Sequence, residues 1–327
     1  MKKNIKKTEI SAIRMIAMLM IITCHVMQYY DFFLAWWFNV GVQIFLCLSG
    51  YLYGWKKIEN IIEFYRKRLL KILVPYYLTL FSFSLVQYIF ARETFNIIKL
   101  IKAIFLRSTI TGAEHLWFVP TILFCYLITP LLQSYRDEYI KNKRTWCIYS
   151  ILSVFIISIY VELFSDFFNS AWIACYIIGY SIGINEKNQI LSMKTISFVS
   201  FFIMFVGNGM QIYFDYFAHI SFRGSGLFYN YNHVFLGIFL FLILIQLFKS
   251  IKNNKIMFLL NLSDIYSYEI YLVHQLVILG PFSLLGITKN ILINLFLIYI
   301  TIFCMACLLK NIEEKIFRAK KIKRNIS

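Results

Sequence analysis

Ten apolar runs, each close to the ~20 residues a helix needs to cross a bilayer, recur at about residues 11–30, 37–55, 72–91, 117–135, 146–164, 170–184, 195–214, 232–248, 258–280 and 290–309. In hydrocarbon every backbone N–H and C=O must find a partner within the chain, and runs this long find one only as helices. The expected fold is therefore all-α, a polytopic transmembrane helical bundle of about ten spans. Composition agrees: 60% of residues are hydrophobic and 15% charged, against about a quarter charged in soluble domains, so a soluble fold is excluded. The sixth run is short and the ninth opens on Asn261, Ser263 and Asp264, so nine or eleven spans also satisfy the pattern. With 4 Pro and 13 Gly and no Ser/Gly-rich or acidic tract, no linker can be drawn, and residues 1–327 read as a single membrane domain with no soluble appendage.

The net charge of +17 sits in short bursts between apolar runs rather than on one continuous basic face, which argues for topology and against nucleic acid as a partner. With a cytoplasmic N-terminus, the inner segments hold 27 of the 33 cations and the outer segments 6, which places both termini in the cytoplasm. The opening MKKNIKKTEI resembles a signal peptide, yet the apolar run after it has no small-residue cleavage site and reads as a retained first helix. The seven cysteines lie in or beside apolar runs as small hydrophobes, including the CxxC spacing of Cys304 and Cys307. Two outer segments are long. In 92–116, Ile97, Ile98, Ile101, Ile104 and Phe105 follow helical spacing opposite Arg92, Asn96, Lys99 and Lys102, as in an interfacial helix. Residues 215–231 mix aromatics with His and Arg, which fits either a sugar-holding surface or an interfacial aromatic belt.

Ionisable groups inside a span are expensive, so the first helix attracts attention. Arg14 and His25 are eleven residues apart, which returns them to nearly one helix face with His25 ~16 Å deeper. A neutral buried imidazole can do general acid–base work; it can equally be a packing histidine, with Arg14 an anchor. Arg66, Arg68 and Lys71 precede Pro75 and Tyr76 in the second inner segment. Arg68 and Lys71 share a face, which suits gripping a phosphorylated cytoplasmic ligand or attracting lipid headgroups. Ser49-Gly50 lies in an apolar helix, where close helix packing competes with a nucleophile reading. His115 and Trp117 stand at the outer mouth of the fourth span, and Tyr271 and His274 share a face of the ninth. No Walker loop, dinucleotide glycine fingerprint or H-E-x-x-H pattern occurs, which argues against ATP-driven transport and zinc protease chemistry, and no metal is expected.

Taken together, the chain resembles the membrane acyltransferase-3 family. The resemblance rests on Arg14-x10-His25, Val42-x-x-Phe45-x-x-x-Ser49-Gly50-Tyr51, the basic run before Pro75-Tyr76, the Leu116-Trp117-Phe118 to Pro130 stretch, and Tyr268-x-x-Tyr271-Leu272-x-His274, in the family's order. It implies transfer of an acyl group, usually acetyl, from cytoplasmic acyl-CoA to a hydroxyl of an extracytoplasmic or lipid-linked surface polysaccharide. Acyl-CoA then acts as a co-substrate, and no tightly bound cofactor is expected. The resemblance implies that His25 is the catalytic group, supported by Arg14, and that Arg68 and Lys71 occupy an Arg-x-x-Arg motif for the CoA phosphates, with Arg66 and Tyr76 beside it. Lys71 departs from that motif: it keeps the charge but lacks the bidentate fork. Ser49, His115, Trp117, Tyr271 and His274 are then expected to line the acceptor side.

Some members carry a C-terminal hydrolase-like domain. This chain ends at Ser327, soon after its last span, so transfer is expected to finish in the membrane or to pass to another polysaccharide-biosynthesis protein. The implied location is a bacterial cytoplasmic membrane, among lipids, and the implied acceptor a capsule or exopolysaccharide. Two other classes fit the residues alone: a translocator of a lipid-linked glycan, and a scaffold whose polar groups lock packing. No internal repeat of the transporter kind is visible.

Overall fold

The computed structural model describes residues 7–164, 169–248 and 254–326. It is helical throughout: α1 Lys7–Tyr29, α2 Ala35–Phe38, α3 Gly41–Trp55, α4 Ile61–Phe90, α5 Ile97–Ile104, α6 Phe118–Tyr139, α7 Lys143–Phe164, α8 Ser170–Asn188, α9 Met193–Ile212, α10 Ser225–Phe248, α11 Asn254–Val273 and α12 Ile291–Ile326. Every one of the ten apolar runs has become a long helix. Among the described residues eight of these helices are long and apolar enough to cross a membrane, so the chain is a multi-pass membrane protein. The other two are α8 and α11, on the sixth and ninth runs, where the sequence is shortest or most polar.

The helices group into two compact units, one made of residues up to Ile21, Trp36–Ile61 and Phe124–Asn261, the other of Ile22–Ala35, Ile62–Leu123 and residues from Leu262 on. The core of the first unit is the α3–α8 pair, which meets on glycine. A Cβ on Gly50 would stand 2.0 Å from the Tyr176 carbonyl oxygen, one on Gly54 2.4 Å from that of Tyr180, one on Gly179 2.2 Å from that of Cys47, and one on Gly183 2.2 Å from that of Tyr51. Two small-xxx-small stripes thus face each other, and van der Waals contact between backbones replaces the hydrophobic driving force that lipid does not supply. Of the two readings of Ser49-Gly50, close helix packing is therefore the one realised at Gly50. At the end of this pair the Tyr51 hydroxyl donates to Glu186 Oε2 at 2.5 Å.

In the second unit α4 carries α5 across its flank. Tyr76 and Tyr77 hydroxyls donate to the carbonyls of Ala103 (2.8 Å) and Ile104 (2.9 Å) at the C-terminal end of α5. Asn96 caps the other end by accepting from the Lys99 amide at 3.0 Å. With Ala103 buried and Ile97, Ile98, Ile101 and Phe105 exposed, α5 has the amphipathic form expected of an interfacial helix. Helix α11 is tied to α4 by Tyr268, whose hydroxyl donates to the Ile72 carbonyl at 3.0 Å. It is tied to α12 by Lys310, whose Nζ lies 2.9 Å from both Glu269 and Glu313. All seven cysteines are free thiols, four of them buried.

Candidate active site

Within the second unit, three of the chain's five histidines stand together. The His25 ring lies 5.0 Å from that of His274, and His274 lies 4.8 Å from His115, centroid to centroid. They arrive from the C-terminal half of α1, from the short 3-10 turn Glu114–Trp117 that opens into α6, and from the residue just past α11. Tyr271 joins them, its ring 5.4 Å from His115. Among the described residues no group of three His, Cys, Asp or Glu is disposed to hold a metal ion.

The hydrogen bonds decide which nitrogen of each ring is open, because a carbonyl oxygen only accepts. His115 Nε2–H donates to the Leu272 carbonyl at 3.1 Å, and His274 Nδ1–H donates to the Tyr271 carbonyl at 2.7 Å. That leaves His115 Nδ1 and His274 Nε2 as lone-pair acceptors, both buried and both without a hydrogen-bond partner. His25 Nδ1–H donates to Gln28 Oε1 at 2.6 Å, one turn on, which directs its acceptor lone pair to Nε2. The hydrogen bonds thus hold one nitrogen of each imidazole as a donor and leave the other as a lone-pair acceptor, the form general-base chemistry needs.

The shell around these rings was not legible beforehand. Gln275, 3% exposed, accepts the His115 amide at Oε1 (2.8 Å) and donates from Nε2 to Glu114 Oε2 (2.8 Å). Glu114 Oε1 accepts the Gly112 amide at 2.9 Å. The Tyr271 hydroxyl donates to the His115 carbonyl. Gln28, Glu114 and Gln275 each stand one to three residues from a histidine inside or at the edge of an apolar run, and that adjacency is the one trace of them the sequence carries.

The remaining candidates lie as follows. Arg66 and Lys71 are exposed and Arg68 half-buried on the first turns of α4, next to the point where Tyr268 bonds Ile72. Tyr76 is buried and its hydroxyl is committed to Ala103. Trp117 is half-buried in the same turn as His115. Arg14 and Ser49, both half-buried, belong to the first unit. His233 belongs to that unit too, with Trp36 stacked on it at 4.3 Å. In the aromatic segment, Tyr213, Tyr216, Phe217 and Phe222 are exposed, and the Tyr229 hydroxyl donates to Asp215 at 2.6 Å.

An all-helical, multi-pass membrane protein with a cluster of three imidazoles, two of them buried and one half-buried, is the class that fold and site define. Residues 7–310 match the sequence profile of an acyltransferase domain, the acyltransferase-3 family. That is nearly the whole chain, and it belongs to this family of membrane acyltransferases. No curated protein and no solved structure matches it.

Proposed function

We propose that the protein moves an acyl group, acetyl in the simplest case, from cytoplasmic acyl-CoA to a hydroxyl of a surface polysaccharide or its lipid-linked precursor, across the cytoplasmic membrane of a bacterium. The observation that carries this reading is the His25–His274–His115 cluster inside an acyltransferase domain. His25 is the base. Its Nε2 takes the proton of the acceptor hydroxyl as that oxygen attacks the thioester carbonyl. The carbon–sulfur bond then breaks, and the departing CoA thiolate recovers the proton from the imidazolium. Gln28 holds Nδ1–H throughout, so the ring keeps one orientation. Arg66, Arg68 and Lys71 receive the CoA phosphates at the cytoplasmic end of α4, and Arg14 supports the first helix. His115, Trp117, Tyr271 and His274 line the acceptor side.

The test uses inside-out membrane vesicles supplied with acetyl-labelled acetyl-CoA, reading label that mild alkali releases from envelope glycan. His25→Ala is expected to abolish this transfer while inserting and accumulating like the parent protein. Undiminished transfer by a well-inserted His25→Ala protein removes the base assignment. Glycan export that continues without any acyl transfer in the parent protein would instead favour a translocator.

A further inference from the structure

The bonds around His115 have an enforced direction. Both oxygens of Glu114 accept, one from the Gly112 amide and one from Gln275 Nε2. The His115 amide can only donate, and it donates to Gln275 Oε1. The Gln275 amide therefore cannot be turned over without placing N–H against N–H and oxygen against oxygen. From the other side Tyr271 donates to the His115 carbonyl, and the ring's Nε2–H is given to Leu272. Peptide N–H, peptide C=O and ring N–H of His115 are all spoken for, and only Nδ1 is open. The loop that carries Glu114 packs closely on residues past α11: at Gly112, with φ +77°, an added Cβ would stand 2.6 Å from Pro281 and 3.0 Å from Gly280. Glu114 itself sits at the exposed rim while Gln275 is buried, so water can compensate the first and cannot reach the second.

We propose that Glu114 and Gln275 are positioning residues of the acyl-transfer site, a strap of fixed polarity that holds the His115 peptide and keeps His115 Nδ1 unpaired, to receive the hydrogen bond of a second hydroxyl of the acceptor, beside the one that His25 deprotonates. The proposal rests on the acyl-transfer reading above. Its logic is testable by inverting the strap. Gln275→Glu sets two carboxylates face to face where a donor and an acceptor had met, which a role in packing alone would not feel, since the two side chains have nearly the same shape. Adding Glu114→Gln restores a donor opposite an acceptor at every junction, in reverse order. The new amide at position 114 gives its NH2 to the new carboxylate at position 275, and that carboxylate still accepts the His115 amide. The amide oxygen at position 114 still accepts from Gly112.

The vesicle assay with labelled acetyl-CoA reads the outcome. Gln275→Glu is expected to lower the transfer rate at saturating acetyl-CoA by about 10- to 100-fold and to leave the KM for acetyl-CoA unchanged. The double variant Glu114→Gln/Gln275→Glu is expected to recover to within about 3-fold of the parent, the mark of two coupled neighbours. Parent-like transfer by Gln275→Glu overturns the proposal, and so does a double variant no better than the single one. If Gln275→Glu fails to accumulate, the double variant alone decides: recovery of both insertion and transfer supports the strap, and failure of either overturns it. His25→Ala in the same vesicles reports separately on the underlying reading, because loss of transfer there alongside a failed double variant sinks only the strap.

Discussion

Replacing Lys310 with Met would remove the cation from a buried cluster and leave two carboxylates behind. Lys310 Nζ stands 2.9 Å from Glu269 Oε1 and 2.9 Å from Glu313 Oε2, and the two carboxylate side chains are 3% and 4% exposed. At that separation, with an effective dielectric constant of about 20, each contact carries roughly 6 kcal/mol of gross attraction. Most of this offsets the cost of taking three charged groups out of water, so the intact cluster adds little net stability. Breaking it is a different matter, because two uncompensated carboxylates then face each other in a dry site. The expected loss for Lys310→Met is about 3–5 kcal/mol. Glu269 lies on α11 two residues before Tyr271, so acyl transfer should fall with stability. The triple variant Glu269→Gln/Lys310→Met/Glu313→Gln leaves only neutral groups and should regain most of the loss. Thermal unfolding of detergent-solubilised protein, followed by the soluble monodisperse fraction on gel filtration, separates the cases. A Lys310→Met midpoint equal to the parent's, or a triple variant less stable than the single one, would refute the reasoning.

Two further outcomes follow from geometry already given. Gly50→Ala must push α3 and α8 apart, since its Cβ would sit 2.0 Å from the Tyr176 carbonyl oxygen; the expected cost is about 1–3 kcal/mol, whereas Gly209→Ala, with no atom within 4 Å of the new Cβ, should be neutral or stabilising in the same unfolding assay. Lys71→Ala should raise the KM for acetyl-CoA by about 10-fold, the worth of one charge-assisted phosphate contact, with the rate at saturation unchanged in vesicles; an unchanged KM would return that cation to the lipid headgroups.

Helix positions were legible because hydrocarbon leaves backbone groups no partner but the helix itself. The ends were less so. Helix α4 starts at Ile61, eleven residues before its apolar run, and α12 continues to Ile326, since charged residues outside the bilayer pair their backbones just as well and leave no trace in hydropathy. The site divides the same way. His25, Tyr271 and His274 stand out because a polar group in an apolar run is costly wherever it occurs, and His115 because it sits at the mouth of one. Gln275 did not, because its partners Glu114 and His115 are 161 and 160 residues away and only tertiary packing brings them within reach. Glu269 was passed over although the same cost argument applies to it. Gly54, Gly179 and Gly183 were missed because a glycine stripe carries meaning only against its mate.

That mate is made late. About 130 residues separate Gly54 from Gly183, and at ordinary synthesis rates α3 waits roughly 6–26 s for α8 to emerge. During that interval its glycine stripe lacks the partner it has in the finished fold, and three further long helices, α4, α6 and α7, are made in between. A groove that admits any small-residue helix must therefore stay unclaimed until its own partner arrives. Assembly of the first unit is thus governed by the order of emergence, and slowing translation between residues 56 and 169 would lengthen the exposure without altering a single contact of the finished protein.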